Sequence, residues 1–174
     1  SYAEAHKNLG LILADLGRLQ EAEVSYRQAI ALKSDYAEAY FNLGAILADL
    51  GRLQEAEANY RQAIGQKQNY AEAYCNLGTT LKEQGRLEVA EVSYKKAIAL
   101  KPGYVEATHN LGVLLYESKQ YNKAAVQFKL VDLMKSKCYL LRCLYLQDHQ
   151  ASFYDQLDYL LTRGGNTAVI GSLI

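Results

Sequence analysis

The chain is 174 residues long, half of them apolar, and its 19 lysines and arginines balance 19 aspartates and glutamates. Zero net charge leaves no gross electrostatic attraction to nucleic acid or anionic membrane, and no apolar run approaches the roughly 20 residues of a membrane span. Cys75, Cys138 and Cys143 are odd in number and fall in helical pattern, which fits a reducing, cytoplasmic compartment better than a disulfide framework.

The chain opens Ser1-Tyr2, and Tyr2 already keeps register with Tyr36, Tyr70 and Tyr104. That register reads as a piece taken from a longer array, with any leader of the parent out of view. The segment from Ala37 to Tyr70 is 34 residues long and matches Ala3–Tyr36 at 25 of 34 positions. Ala71–Tyr104 follows the same plan and Val105–Cys138 follows it more loosely. A fixed period of this size predicts a stacked array.

Positions are numbered within a repeat from Ala3, Ala37, Ala71 and Val105. Tyr40, Leu43, Gly44 and Leu47, at positions 4, 7, 8 and 11, lie on one helical face. Leu53, Ala56, Tyr60, Ala63 and Ile64 form a second helical stripe. Gly51 at position 15 stands between them and suits the left-handed residue that ends a helix. Each repeat is therefore predicted to be an antiparallel helix pair, each helix about 13 residues long.

Gly10, Gly44, Gly78 and Gly112 all occupy position 8. A glycine inside a helix costs roughly 1 kcal/mol against alanine, so four in register imply a close approach that a side chain would block. Tyr26, Tyr60, Tyr94 and Phe128 at position 24 supply the bulk.

In the fourth repeat the predicted helices are Val105 to about Ser118 and Tyr121 to about Lys135, with Lys119 replacing the turn glycine and Val131 the alanine of position 27. Beyond it, Lys137–Gln147 reads as a short apolar helix and Asp148-His149 as a turn. Ala151–Arg163 reads as an amphipathic helix carrying Phe153, Leu157, Leu160 and Leu161, which Gly164-Gly165 stops. Asn166 would cap a last stretch, Thr167–Ile174, whose apolar end also reads as a cut. The expected organisation is four repeats over residues 1–138 (3–36, 37–70, 71–104 and 105–138), then a degenerate helix pair and capping segment over 139–174 that closes the apolar end.

The spacing of an aromatic, Leu-Gly, a large residue, Ala at 20, an aromatic at 24, Ala at 27 and Pro at 32 resembles the tetratricopeptide repeat, over residues 3 to about 135. Departures are His6 and Thr108 at position 4, and a position-32 proline kept only as Pro102. The resemblance implies an all-α fold, an α-solenoid of antiparallel helix pairs wound as a right-handed superhelix. It also implies a concave groove lined by the side of the first helix opposite its core stripe. The repeats look like those of the recognition arm of O-linked N-acetylglucosamine transferase and of high-identity bacterial arrays.

Reading that side across the repeats gives ladders. Position 2 is Glu4, Glu38, Glu72 and Glu106; position 6 is Asn8, Asn42, Asn76 and Asn110; position 13 is Asp15, Asp49, Glu83 and Glu117. Position 9 is Leu11, Ala45, Thr79 and Val113, flanked by Lys7, Phe41, Cys75 and His109 at position 5 and by Ala14, Ala48, Lys82 and Tyr116 at position 12. Asparagine is mediocre inside a helix, and its amide carries the donors and acceptor that match a peptide group. Four in register either hold an extended peptide by its backbone or bond a neighbouring helix and lock the stack. The transferase arm, by resemblance, has Asn facing its groove. Glu at position 2 suits the first-turn dipole, and the acids of position 13 stand three residues before Arg18, Arg52 and Arg86, the spacing of a helical ion pair. If these acids are instead free, the groove is negative and prefers basic or neutral-apolar peptides. The chaperone-type grooves of the family hold a carboxylate with Lys and Arg, whereas Lys7 and Lys82 are isolated among acids here, which argues against such a clamp.

The residues offer no metal set, no phosphate loop and no nucleophile–base pair, so neither cofactor nor intrinsic catalysis is expected. Cys138 and Cys143 would point about 140° apart on a helix and, with His149, match no zinc spacing. The expected function is a protein-interaction module gripping an extended segment through Asn42, Asn76 and Asn110 (with Asn8 at the edge), side-chain pockets being tuned by Phe41, Thr79, Lys82 and Tyr116 and the charge set by Glu38, Glu72, Asp49 and Glu83. Two alternatives stay open: an array that self-associates through its ends, and the substrate-recognition arm of a larger enzyme.

Overall fold

The computed structural model describes residues 1–147, 153–155 and 157, and every element among them is helical. In chain order these are α1 (Tyr2–Asp15), α2 (Leu19–Leu32), α3 (Ala37–Asp49), α4 (Leu53–Gln66), α5 (Ala71–Glu83), α6 (Leu87–Leu100), α7 (Val105–Glu117), α8 (Tyr121–Lys129) and α9 (Met134–Leu146). The helix pairs of an α-solenoid are thus observed, in two compact units, Ser1–Pro102 and Gly103–Ile174.

In the first unit each first helix packs on its own second helix, and each second helix packs on the next first helix. The first helices α1, α3 and α5 also touch one another directly, so they form one layer and the second helices another. Within a pair the contact is the one the glycine row implies. A Cβ placed on Gly10, Gly44 or Gly78 would fall 2.7, 2.9 or 2.8 Å from the ring of Tyr26, Tyr60 or Tyr94. Those rings are at most 2% exposed, and Ala22, Ala56 and Ala90 beside them are fully buried.

The turn between paired helices is also as the sequence implies. Gly17, Gly51 and Gly85 have φ near +73 to +75°, and the following Arg18, Arg52 and Arg86 amides bond back to Leu13, Leu47 and Leu81 at 2.8 to 2.9 Å. This hydrogen-bonded reversal is the Schellman end of a helix.

In the second unit α7 and α8 repeat the pair, with Phe128 against Gly112. Lys119, in place of the turn glycine, takes φ 59°. Helix α8 stops at Lys129, well short of the predicted Lys135. In the earlier repeats the alanine at position 27 (Ala29, Ala63, Ala97) is fully buried and its helix runs on; here the bulkier Val131 takes that place and stays buried at 4% exposure, in the break between α8 and α9. Asp132 in the break pairs with Lys137, and α9 begins at Met134, so it crosses the expected boundary after residue 138. The buried His109 Nδ1 lies 2.7 Å from Ser136 Oγ and ties α7 to α9. Of the expected last helix pair, Phe153 and Leu157 pack against the buried Leu141. The predictions for 148–152, 156 and 158–174, including the turn at His149 and the cap at Asn166, lie outside the described residues.

Candidate functional site

The layer formed by α1, α3 and α5 places Asn8, Asn42 and Asn76 in one row, with Asp15, Asp49 and Glu83 in a second row at the ends of the same helices. Because each helix ends at a left-handed glycine, these acids sit in its last turn and their side chains stay exposed.

The asparagines of this row differ in their bonding. Asn76 donates through Nδ2 to the Tyr60 hydroxyl at 3.4 Å, a long bond that joins α5 to the preceding repeat. No described residue hydrogen-bonds the side chain of Asn8 or Asn42. Beside them the Thr79 hydroxyl lies 3.1 Å from the Tyr94 hydroxyl and 3.4 Å from the Cys75 carbonyl. The hydroxyls of Tyr60 and Tyr94, whose rings are buried, therefore each meet a side chain of α5.

Their acidity records who stands nearby. Burial first, and then the Asp49 and Glu83 carboxylates, push the Tyr60 phenol up to about 12, against the opposing bond from Asn76. Burial and the Asp15 carboxylate push Tyr26 up to about 12 as well. The Asn76 amide and the Tyr60 hydroxyl thus join α5 to α4, within electrostatic reach of the Asp49 and Glu83 carboxylates.

The ion pairs expected of the position-13 acids are not formed. Arg18 pairs instead with Glu21. Arg52 pairs with Glu55 at 2.6 Å and with Glu23 of the preceding second helix at 2.8 Å. Arg86 reaches Glu57 at 2.7 Å. The reason is the glycine between the two positions: spacing of three pairs side chains only within one helix, and the positive φ at position 15 ends the helix and carries position 16 onto the next one. Among the described residues none pairs with Asp15, Asp49 or Glu83. The arginine–glutamate clasp could have been found in the sequence, because Arg52–Glu23 and Arg86–Glu57 share an offset of 29 residues.

The remaining residues expected at the site are dispersed. Glu38 is exposed in the first turn of α3, while Glu72 in the first turn of α5 accepts from Lys101 at 2.8 Å. That bond from Lys101 holds the Glu72 carboxyl below its ordinary range. Phe41 is half-buried in the stack between the second and third repeats, its ring 5.0 Å from that of Tyr70 and 5.9 Å from that of Tyr60. Cys75, also at position 5, is fully buried, so this position turns toward the stack. Lys82 lies in the last turn of α5. Asn110 and Tyr116 belong to the second unit, where Tyr116 lies tilted against Tyr121 and edge-on to Tyr139 and lines a cavity of about 170 Å³ with Leu141, Arg142 and Phe153.

Among the described residues, no group of three or more His, Cys, Asp or Glu is placed to hold a metal ion, and no helix is long and apolar enough to cross a membrane.

Comparison with known proteins begins at the repeats. Residues 10–51 match a family model described as TPR repeat, and residues 35–103 one described as tetratricopeptide repeat, together over half of the chain. No curated protein matches the chain. Among solved structures, the 41-end form of MamA from Desulfovibrio magneticus RS-1 superimposes with a TM-score of 0.82 at 17% identity, over 93% of this chain and 94% of that one. YrrB, described as a tetratricopeptide protein with an unusual peptide-binding site, gives 0.77 at 20% identity over 94% and 87%. The first such domain of Spaghetti (RPAP3), bound to the HSP90 peptide SRMEEVD, gives 0.66 at 22% over 68% and 94%. These likenesses concern the fold, and with the repeat models and the paired helices they establish that the chain belongs to the tetratricopeptide repeat family.

Proposed function

We propose that the chain is a protein-interaction module and that the α1–α3–α5 layer of its first unit holds an extended segment of another protein. The observation that carries this reading is that polar groups recur in register along the layer with no hydrogen-bond or ion-pair partner among the described residues: the amides of Asn8 and Asn42 and the carboxylates of Asp15, Asp49 and Glu83. An amide offers a peptide group both a donor and acceptors, so the row reads backbone whatever the side chains.

The peptide-bound Spaghetti domain and the peptide-binding site named for YrrB support the use of this fold for such ligands. The charge argues for a different ligand from the acidic HSP90 sequence. Three carboxylates with no partner among the described residues would repel such a sequence and favour a basic or neutral-apolar one.

The test is a peptide array probed with the whole chain and with the Asn42→Ala/Asn76→Ala variant, with circular dichroism and melting curves on both. Binding by the wild type, lost in an equally well-folded variant, supports the reading. Unchanged binding, or a variant that simply melts much lower without any peptide signal in the wild type, refutes it and leaves the asparagines as stacking residues.

A further inference from the structure

A tyrosine buried with its ring ordinarily finds a hydrogen-bond partner for its hydroxyl. Tyr60 and Tyr94, at position 24 of their repeats, obey this. The first accepts from Asn76 Nδ2 at 3.4 Å, and the second meets the Thr79 hydroxyl at 3.1 Å. Tyr26 holds the same position and is 1% exposed, yet its hydroxyl has no hydrogen-bond partner among the described residues.

No absent neighbour explains this. Asn76 belongs to the repeat after that of Tyr60, and Thr79 to the repeat of Tyr94 itself; the corresponding helices, α3 and α1, both stand beside α2. Leu11 takes the place of Thr79 and has no polar group to offer. Asn42 takes the place of Asn76, at the same offset of 16 residues, and its amide too is without a hydrogen bond among the described residues.

A third group stands close by. Tyr26 Cζ, which carries the hydroxyl, lies against α1, where a Cβ on Gly10 would fall 2.9 Å from it. Asp15 ends that helix, and its carboxylate adds to burial in pushing the phenol up to about 12. Among the described residues no cation pairs with Asp15. Lys7, the lysine of α1, holds the register position of Phe41 and Cys75, which turns toward the stack. A phenol oxygen of α2, an amide oxygen of α3 and a carboxylate of α1 therefore all keep acceptor capacity.

We propose that Tyr26 Oη, Asn42 Oδ1 and the Asp15 carboxylate form a subsite for the ammonium group of a lysine side chain. The subsite presupposes that the α1–α3–α5 layer holds a peptide, and it names the side chain that the layer selects. An ammonium is a compact charge with three donors, one for each acceptor, and the hydroxyl can turn its own hydrogen away. A guanidinium holds its donors in a flat fork that suits one carboxylate better than three acceptors on separate helices. Lysine is thus preferred to arginine, a distinction that net charge alone would not make.

The probe is the peptide acetyl-Ala-Ala-Lys-Ala-Ala-amide, titrated into the whole chain beside its arginine and norleucine counterparts, with the Asn42 side-chain amide followed by NMR. The lysine peptide should shift that signal saturably and bind roughly tenfold more tightly than the norleucine peptide, with arginine between them. Tyr26→Phe keeps the ring and removes a hydroxyl that bonds nothing described, so its melting curve should match the wild type. It should bring the lysine affinity down to that of arginine, whereas a merely structural effect would weaken all three peptides together. Equal affinity for lysine and norleucine, an unmoved Asn42 signal, or a lysine preference that survives in Tyr26→Phe would overturn the subsite and leave peptide binding by the layer standing. No binding of any of the three, together with an empty peptide array, would remove both.

Discussion

Two sets of acids in the first unit differ in one respect: whether an arginine answers them. On the second helices, Glu21, Glu23, Glu55 and Glu57 each bond an arginine, and Glu23 and Glu57 bond one from the repeat that follows. On the first helices, Asp15, Asp49 and Glu83 have no partner among the described residues. Both sets lie on surface turns of the same repeats, so overall charge cannot distinguish them. The comparison teaches that the arginine of position 16 decides which acids hold the stack together and which are left to meet something else. Carried past the glycine turn, it bonds the acids of the second helices and leaves Asp15, Asp49 and Glu83 of the first helices without a partner among the described residues.

That division presupposes that first and second helices are locked in register, which is where the largest effect is expected. Gly78→Val would set a branched side chain where a Cβ alone comes within 2.8 Å of the buried Tyr94 ring. Overpacking of this kind costs about 2–3 kcal/mol, read as a lower urea midpoint. A neutral result would mean that the pair can slide, and the distinction between the two layers would lose its structural basis.

The clasp itself comes next. Arg52→Ala removes two bonds from Glu23, whose side chain is only 14% exposed, and leaves Arg27 as its partner. Loss of a charge-assisted bond to a partly buried group is expected to cost about 1–2 kcal/mol, against less than about 0.5 kcal/mol for Arg18→Ala at its exposed single pair. Equal costs for the two arginines would erase the contrast between a clasp and a surface pair.

Acid should reveal the same contrast more gently. Partial burial works to raise the Glu23 and Glu57 carboxyls, but the arginine bonds outweigh it and hold both below their ordinary value of 4.5. A carboxylate whose pKa is lower folded than unfolded binds more protons when unfolded. Its stabilisation is therefore complete above pH 4.5 and is lost as pH falls through the depressed folded value. Melting temperature followed down from pH 6 should decline below about 4.5, and Arg52→Ala should shrink the part due to Glu23.

How much of this was legible in the sequence depends on how far apart in the stack the partners sit. Period, helix pairs, the glycine–aromatic contact of positions 8 and 24 and the left-handed position 15 all follow from relations inside one repeat, and all are observed. The routes of Arg52 and Arg86 and the half-burial of Phe41 are not legible there, because each joins neighbouring repeats and needs their relative placement, whereas the Asn76–Tyr60 bond is one of the two readings open to the asparagine row. The early end of α8 was missed for a different reason. Val131 continues a helical pattern acceptably in one dimension, and no turn residue in the sequence marks the end at Lys129.

The smallest effect on stability should be the most informative about function. Asp49→Asn/Glu83→Gln keeps the shape of both side chains and removes two charges that no described residue answers. Exposed, unpaired positions of this kind usually change stability by no more than about 0.5 kcal/mol, so melting should barely move. If the α1–α3–α5 layer is a surface left negative for a ligand, affinity for a lysine-rich peptide should fall severalfold. The salt dependence of binding should flatten with it, since fewer counter-charges then need screening. Neutral-apolar peptides held by their backbone through Asn42 should be little affected. A variant that binds basic and apolar peptides as the wild type does would show that the unanswered acids are only solvated ends of helices, and that any recognition on this layer rests on the amides alone.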